Sequence, residues 1–428
     1  MSVASDAPSG VSLEPKVLAV LKEDELFRIT CDLLAIQSHR FVPGHETPAA
    51  TYLRDLFLAE GIPAELREVC DGRCNVIATL KGEGGGPMLM FNGHTDTVPP
   101  GEMPEPFRPH VVDGKLYARG ACDMKAGLAA QAYAMIGLKR AGVRLAGDLV
   151  FTGVIAEEDS TSLGSLAIVE NGPIPDMVVV SEPSDLRVIV AHKGFDYYRI
   201  EVEGLSAHSS APHNGVNAIY AASRIVTDIE ERLIPLSRQR SHPLLGSASV
   251  NVGAITGYAV NEMGTAMRQG QSEGIKPPGG TVPDVCTIYF DRRRIPGETL
   301  DLVAAEMEGW LDELRARHPG LKATAHLTPA CPVLPSHPPL DTPPDHPLVR
   351  ETLSAVKAIA GIDEGPKGVP FWSDAALFND GRKIPAIVFG PGHIGQAHSD
   401  HEFVPVAELI LAARINAALA MSLLGAKG

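Results

Sequence analysis

Four short apolar runs, each ending in polar or turn residues, constrain the fold of this chain most strongly. Their length and their bounding residues favour buried strands over helices. The segment MKAGLAAQAYAMIGLKRAG, which has apolar residues at helical spacing, separates the first two runs. The order strand, helix, strand predicts an α/β domain with a largely parallel sheet. The four runs are PMLMFNGHTD, DLVFTGVIAEED, DMVVVSEP and PAIVFGPG.

The middle of the chain has a different pattern and predicts an inserted α+β domain. DYYRIEVEG, SASVNVGAITG and DVCTIYFDRRR are rich in β-formers, while NAIYAASRIVTDIEERL and LDLVAAEMEGWLDELRAR have helical periodicity. The proline-rich ACPVLPSHPPLDTPPDHPL cannot continue a helix or an inner strand and is typical of a linker. We therefore predict a discontinuous domain at residues 14–191 and 336–424, and an inserted domain at 192–335.

Composition narrows the class of partner. The chain has 52 acidic and 37 basic residues, a formal charge of -15, which disfavours nucleic acid and favours a small-molecule substrate. The first residues, MSVASDAPSG, lack the pattern of a secretory signal, so a cytoplasmic location is expected. Glu408 and Arg414 interrupt the apolar C-terminal stretch, and we expect no membrane span.

Histidine and carboxylate groups follow the predicted strands. Because ligands of open parallel sheets bind at the carboxyl ends of the strands, these groups are expected to converge. Carboxylates that converge without a cation repel one another, so a metal site is predicted. Two histidines and several carboxylates favour zinc, with cobalt or manganese as possible substitutes, and exceed one tetrahedral site, which indicates two ions. The residues are His94, Asp96, Asp123, Glu157, Glu158, Glu182 and His398.

Six motifs in order resemble those of the acetylornithine deacetylase, succinyl-diaminopimelate desuccinylase, aminoacylase and glutamate carboxypeptidase family. The resemblance covers nearly the whole chain. It implies a zinc hydrolase domain with an inserted ferredoxin-like lid and dimerisation domain, acting on the amide bond of a small N-acyl amino acid. The motifs are GHTDTVPP (93–100), RGACDMKAG (119–127), EEDS (157–160), SEP (181–183), GLSAHSSAPHNGVNA (204–218) and GPGHIGQAHSDHEFVP (390–405).

The resemblance implies a role for each residue of the predicted metal site. His94, Asp123 and Glu182 would hold one zinc, and Asp123, Glu158 and His398 the other, with Asp123 as the bridge. The Asp96 carboxylate would accept the second ring N–H of His94 and so fix its orientation. Glu157 would be the general base that activates the attacking water.

The resemblance also implies contacts from the inserted domain. His208 would reach the active site of a partner subunit and stabilise the oxyanion, which implies a homodimer. Alternatively, it caps a local turn beside Ser206, Ser209 and Ser210. Arg293 would bind the substrate carboxylate, although three consecutive arginines could equally be solvated or paired with Glu298 or Asp301. The further substrate-binding candidates are Asn251, Asn261, Gly390 and Gly392.

The chain departs from the family at residues 262–280, EMGTAMRQGQSEGIKPPGG, which is expected to be a loop that alters the substrate pocket. A dipeptidase or carboxypeptidase with the same dinuclear site is the main alternative activity. Glu182 favours a deacylase, because aminopeptidase and dipeptidase relatives often have Asp there. A non-catalytic ligand-binding relative is the remote alternative, since Glu157 and all five proposed ligands are present.

Overall fold

A computed structural model of the protein describes residues 13–260, 280–329 and 333–427. The candidate Asn261 and nearly all of the predicted loop at 262–280 lie outside the described residues. The described chain divides into two compact units. The first comprises the residues up to His192 and from Leu340 onward, and the second comprises Lys193–Pro339.

Helices and strands are numbered along the chain. The helices are α1 Pro15–Val20, α2 Glu23–Ala35, α3 Thr47–Ala59, α4 Lys125–Arg140, α5 Leu163–Asn171, α6 Ala218–Asp228, α7 Ile234–Ser237, α8 Leu300–Arg317, α9 Pro347–Ala360, α10 Ala375–Arg382 and α11 Val406–Leu423. The strands are β1 Ala64–Cys70, β2 Arg73–Leu80, β3 Leu89–His94, β4 His110–Val112, β5 Lys115–Tyr117, β6 Arg144–Leu145, β7 Leu149–Val154, β8 Met177–Val180, β9 Ile189–His192, β10 Gly194–Glu203, β11 Ser241–His242, β12 Gly246–Ser247, β13 Ser249–Tyr258, β14 Val285–Arg294, β15 Lys322–Thr328, β16 Leu340–Asp341, β17 Lys367–Val369, β18 Ala386–Val388, β19 Phe403–Pro405 and β20 Ala426–Lys427.

The first unit is built on a mixed sheet in the order β1-β2-β7-β3-β8-β18-β9-β16, with β17 paired to β9. The four predicted apolar runs form β3, β7, β8 and β18, which are neighbours and run parallel to one another. Their residues are buried, as strands covered on both faces require. The α/β fold class is thus confirmed, but the sheet is mixed. Parallel pairing is limited to these four strands and to β17 with β9, whereas β1, β2 and β16 pair antiparallel, as do β18 and β9.

Helix α4 packs against the strand ends so closely that one turn has no room for a side chain. A Cβ atom added at Gly127 would lie 2.1 Å from the carbonyl oxygen of Ser181, which directly follows β8. Ser181 precedes Glu182, and Gly127 lies four residues after Asp123. Glycine at this position therefore brings two segments of the predicted metal site together.

Gly127→Ala is expected to destabilise the protein by about 1–3 kcal/mol, because the extra methyl group forces the helix away from Ser181. The matched control is Gly309→Ala in α8, where the site of the new Cβ has nothing within 4 Å. That change is expected to stabilise the protein by up to about 1 kcal/mol through helix propensity. Urea unfolding midpoints measure both, and a Gly127→Ala midpoint at or above that of the unaltered protein would contradict the packing argument.

The C-terminal helix α11 is long and apolar enough to cross a membrane by length and composition, with a mean hydropathy of 1.6. Glu408 and Arg414 do not lower this value enough to exclude it, so the sequence argument against a span was insufficient. In the structure α11 packs against α4 and α9, and 61% of it is buried. These contacts are those of a core helix.

The second unit is a four-stranded antiparallel sheet in the order β13-β14-β10-β15. Helices α6 and α8 supply apolar side chains to a core shared with the sheet, including Ile225 and Leu311. The chain order β10, α6, β13, β14, α8, β15 is that of a ferredoxin-like fold. The expected inserted α+β unit is present.

Candidate metal centre

One group of ligand atoms surrounds His94, the last residue of β3. Its Nε2 atom lies 3.0 Å from Oδ1 of Asp123 and 3.6 Å from Oε1 of Glu182. Asp123 lies just before α4, and Glu182 lies just after β8. All three side chains are buried. Two strand ends and a helix start thus bring these side chains together.

A second group surrounds His398, in the loop after β18. Its Nε2 atom lies 3.0 Å from Oε2 of Glu158 and 3.3 Å from Oδ2 of Asp123. Ligand atoms of His94, Asp123 and Glu158 also lie within 4.8 Å of one another. The two carboxylate oxygens of Asp123 therefore face two different histidines. Each of these oxygens, together with the histidine it faces, fits a position that could hold a divalent cation.

The charges of the cluster are poorly balanced by protein groups alone. Burial, together with the negative charge of Asp123, raises the pKa of Glu182 well above its usual value and that of Glu158 to about 7. Hydrogen bonds to Asp123 and Glu158 raise the pKa of His398 to about 10. Three carboxylates lie close together here, with His94 buried among them and His398 at the solvent side, where 56% of its side chain is exposed. This group fits divalent cations, because cations remove the repulsion between the carboxylates.

Asp96 contacts two of the proposed ligands, His94 through its backbone oxygen and Glu158 through its carboxylate. The Nδ1 atom of His94 lies 3.0 Å from the backbone oxygen of Asp96 and 3.6 Å from its carboxylate. The carboxylate instead accepts the backbone N–H of Glu158 at 3.0 Å and that of Glu157 at 3.4 Å. Asp96 thus fixes the His94 ring through its main chain, and its side chain holds the segment after β7.

Glu157 directly precedes the proposed ligand Glu158, and its side chain forms no hydrogen bond with His94 or His398. Burial raises its pKa well above the usual value, and the carboxylates of Asp374 and Glu158 raise it further. Ala156, directly before it, has a left-handed backbone with φ +66°, which is uncommon for a residue other than glycine and often found at functional sites. A buried carboxyl group with a raised pKa is suited to proton transfer.

Two buried carboxylates were assigned no role from the sequence. Asp374 accepts a hydrogen bond from Ser165 Oγ at 2.6 Å, and burial raises its pKa to about 6. Glu402, in the same motif as His398, accepts backbone N–H groups on both sides of the loop that carries Asp123. For Glu402, its position in the motif GPGHIGQAHSDHEFVP was an available signal. For Asp374, the one signal in the sequence was its place beside Ser373, directly before α10.

His208 and Asn251 belong to the second compact unit. Nδ1 of His208 lies 2.7 Å from Ser210 Oγ, and the ring is exposed. The local-turn contact therefore exists, but it involves Nδ1 of the ring and not Nε2. Asn251 is exposed on β13 opposite Asp291.

The three arginines at the end of β14 differ in their surroundings. Arg292 is buried and pairs with Glu298 at 2.8 Å, and Arg294 is buried and pairs with Asp196 at 2.5 Å. Arg293 points to the other face of the sheet, where 29% of its side chain is exposed. Its guanidinium stacks over the ring of Phe195 at 4.8 Å. Arg293 also pairs with Asp291 at 3.4 Å, and it is the most exposed of the three arginines.

The two candidate glycines have structural explanations in the first unit. A Cβ at Gly390 would lie 2.3 Å from the carbonyl oxygen of Ser181 and 2.6 Å from that of Glu182. Gly392 has φ +87° and donates its N–H to Glu408 at 2.7 Å. Both residues shape the loop that approaches Glu182, and their role in substrate binding stays a prediction.

Comparison with known proteins gives consistent matches. Residues 90–422 match the family described as Peptidase family M20/M25/M40. The acetylornithine deacetylase of Vibrio campbellii is 30% identical over 369 residues, covering 83% of this chain and 85% of the relative. A probable succinyl-diaminopimelate desuccinylase of Staphylococcus epidermidis is 27% identical over 410 residues, covering 90% of this chain and 95% of the relative.

Solved structures share the fold. The aminopeptidase PepT of Bacillus cereus has a TM-score of 0.75 at 21% identity, covering 94% of this chain and 99% of the relative. A dinuclear metal-binding peptidase of the M20 family from Bacillus subtilis has a TM-score of 0.66 at 20% identity, covering 94% and 98%. At these identities the similarity establishes the architecture, and the chemistry depends on the residues of the site.

Proposed function

Because the chain belongs to peptidase family M20/M25/M40, we propose that it is a divalent-metal-dependent hydrolase of the amide bond of a small N-acyl amino acid. The observation that carries this proposal is the position of Asp123, whose two oxygens face His94 and His398. The deacetylase and desuccinylase relatives support the acyl amino acid as the substrate class. The proposed ligands are His94, Asp123 and Glu182 for one ion and Asp123, Glu158 and His398 for the other.

We propose two ions, with zinc as the physiological metal. Five nitrogen and oxygen ligands without a thiolate suit zinc, and one shared carboxylate suits a pair of ions. The bound cations would lower the pKa of a water molecule and polarise the substrate carbonyl. Cobalt and manganese accept similar ligands and are the expected substitutes.

Glu157 transfers the proton in this mechanism. It removes a proton from the attacking water as the oxygen bonds to the carbonyl carbon of the substrate. When the C–N bond breaks, Glu157 gives this proton to the leaving nitrogen, so the products are an amine and a carboxylic acid, which then ionises to a carboxylate. Burial favours the protonated form of Glu157, and cations bound beside it would favour the ionised form. These opposing influences allow Glu157 to act as both base and acid.

We further propose that the active form is a homodimer, in which His208 of one subunit donates to the oxyanion in its partner. Supporting this, His208 is exposed, and its Ser210 contact involves Nδ1. Arg293 would bind the substrate carboxylate, with Asn251 nearby in the same sheet. A cytoplasmic location stays a prediction from the sequence.

His208→Ala is expected to lower kcat by about 100-fold or more, as loss of an oxyanion donor does elsewhere. His326→Ala, which removes a partly exposed histidine of the same unit, is the control and should leave kcat near that of the unaltered protein. Mixing His208→Ala subunits with Glu157→Gln subunits should restore activity, because a mixed dimer contains one complete site. A mixture no more active than its components would contradict donation between subunits.

The substrate class is tested by amine release from N-acetyl, N-succinyl and N-formyl amino acids beside a set of dipeptides, with purified zinc-loaded protein and a chelator control. Zinc-dependent cleavage of acyl amino acids is expected. Derivatives in which the α-carboxylate is replaced by a carboxamide should be poor substrates, because the proposed role of Arg293 is to bind a free carboxylate. Cleavage of dipeptides alone would support an exopeptidase instead. Inactivity toward every compound would overturn the proposed substrate class.

A further inference from the structure

Glu402 has a carboxylate that is completely engaged by hydrogen-bond donors. Its side chain is 1% exposed. One oxygen, Oε2, accepts from Arg119 Nη1 at 2.5 Å and from the backbone N–H of Gly120 at 3.0 Å. The other, Oε1, accepts from the backbone N–H groups of Cys122 at 2.8 Å and Asp123 at 3.0 Å. Three of these four donors are backbone N–H groups of the loop that leads into Asp123.

The loop from 119 to 123 forms a concave nest of N–H groups around this carboxylate. Such nests bind anions in proteins, and here the anion is supplied by the chain itself. Gly120 has φ +83°, and a Cβ there would lie 2.7 Å from Thr97 Cγ2, so glycine is required for this path of the backbone. The shape of the loop and the presence of Glu402 are therefore linked.

Glu402 also belongs to the segment that carries His398, four residues earlier. Asp123 Oδ2 lies 3.3 Å from His398 Nε2, and Asp123 Oδ1 lies 3.0 Å from His94 Nε2. One buried carboxylate thus connects the loop of His398 to the loop of Asp123. A displacement of the Asp123 backbone would change the position of both of its oxygens at once.

We propose that Glu402 is a positioning residue of the metal centre, which fixes the backbone of Asp123 so that one carboxylate can face both histidines. This inference rests on the proposed function, in which Asp123 is shared by two divalent cations. Glu402 touches neither the substrate nor the ligand atoms of the cations. Its contribution is made through the backbone N–H groups of Cys122 and Asp123.

Glutamine is the informative replacement because it has nearly the same shape. It has one acceptor oxygen, and its NH2 group is a donor that cannot accept from Arg119 or from the backbone N–H groups. At least two of the four donors therefore lose their partner. The loop is expected to shift, and the preferred position of the Asp123 carboxylate is lost.

The experiment measures zinc affinity by competition with a chromophoric chelator, at fixed pH, for the unaltered protein and for Glu402→Gln. We expect affinity to fall by about 10–100-fold, the usual result of losing an outer partner of a metal ligand. The matched control is Glu298→Gln in the second unit. Glu298 is 3% exposed and also accepts from an arginine, Arg292 at 2.8 Å, and from a backbone N–H, Ile295 at 3.0 Å.

Glu298→Gln should lower the unfolding temperature but leave zinc affinity unchanged. Glu402→Gln should lower zinc affinity even if its metal-free form has the same circular dichroism spectrum as the metal-free unaltered protein. Equal zinc affinity for Glu402→Gln and the unaltered protein would overturn the positioning role, whatever the unfolding temperature. Failure of the unaltered protein to bind zinc would instead overturn the proposed function.

If Glu402→Gln does not fold, Glu402→Asp decides the question. Aspartate retains the charge but is one methylene shorter, so it cannot reach all four donors. Zinc affinity several-fold below that of the unaltered protein supports the positioning role, since weakening without loss of charge points to geometry. Unchanged affinity for Glu402→Asp contradicts it.

Discussion

Glu157→Gln is expected to lower kcat by about 10²–10⁴-fold, the usual contribution of a general acid–base group. The amide cannot take a proton from water or return one to the leaving amine. Zinc content should stay close to that of the unaltered protein, because the proposed ligand on this segment is the neighbouring Glu158, at 3.0 Å from His398. Steady-state amine release and metal analysis of the same preparation measure both effects.

The control for this variant is Glu170→Gln, the same chemical change at an exposed position at the end of α5. It should have the kinetics of the unaltered protein. Retained turnover in Glu157→Gln would remove Glu157 from the mechanism. Loss of zinc together with turnover would mean that Glu157 is a metal ligand. Glu158 would then have to be the general base, or both glutamates would be ligands.

Asp123→Asn is expected to remove at least one ion and to lower activity by more than about 100-fold, which exceeds the usual loss from removing an outer partner of a ligand. Asparagine has one oxygen, whereas Asp123 uses Oδ1 toward His94 and Oδ2 toward His398. The NH2 group would direct hydrogen atoms at one of the two cation positions. Metal content after dialysis, measured beside amine release, gives the result.

Asp113→Asn is the matched control for this change. Asp113 is exposed in the turn between β4 and β5 with φ +49°, a conformation that asparagine also accepts readily. Its metal content and activity should be unchanged. An Asp123→Asn protein that holds two ions as firmly as the unaltered protein would contradict the bridging role.

The sequence predicted the centre of the fold well, because the relevant signals are local. A run such as LVFTGV is apolar throughout and is followed directly by polar residues, so both the buried strand β7 and the side chains at its end are evident. The edges of the sheet were less predictable. The two-residue turn Asp71-Gly72, with φ positive at both residues, is a local signal for the antiparallel hairpin β1-β2 that the sequence analysis did not use. The antiparallel pairing of β2 with β7 has no such signal, because it joins residues far apart in the chain.

The ligand histidines and carboxylates could be predicted from their common position after strands, but the groups that orient them could not. Asp374 meets Ser165 across 209 positions of sequence, and Glu402 meets Asp123 across 279. Such pairs form only when the chain is folded. The same limit applies to Asp96, whose carboxylate accepts the backbone N–H of Glu158 in addition to lying 3.6 Å from the His94 ring.

We propose that this chain hydrolyses N-acyl amino acids with divalent metal bound at the end of its central strands. The most direct test removes metal with a chelator, adds zinc back in measured amounts and follows amine release from an N-acyl amino acid at each step. The account predicts no release without metal and a rise that ends at about two zinc ions per chain. Amine release that persists in the metal-free protein would contradict it.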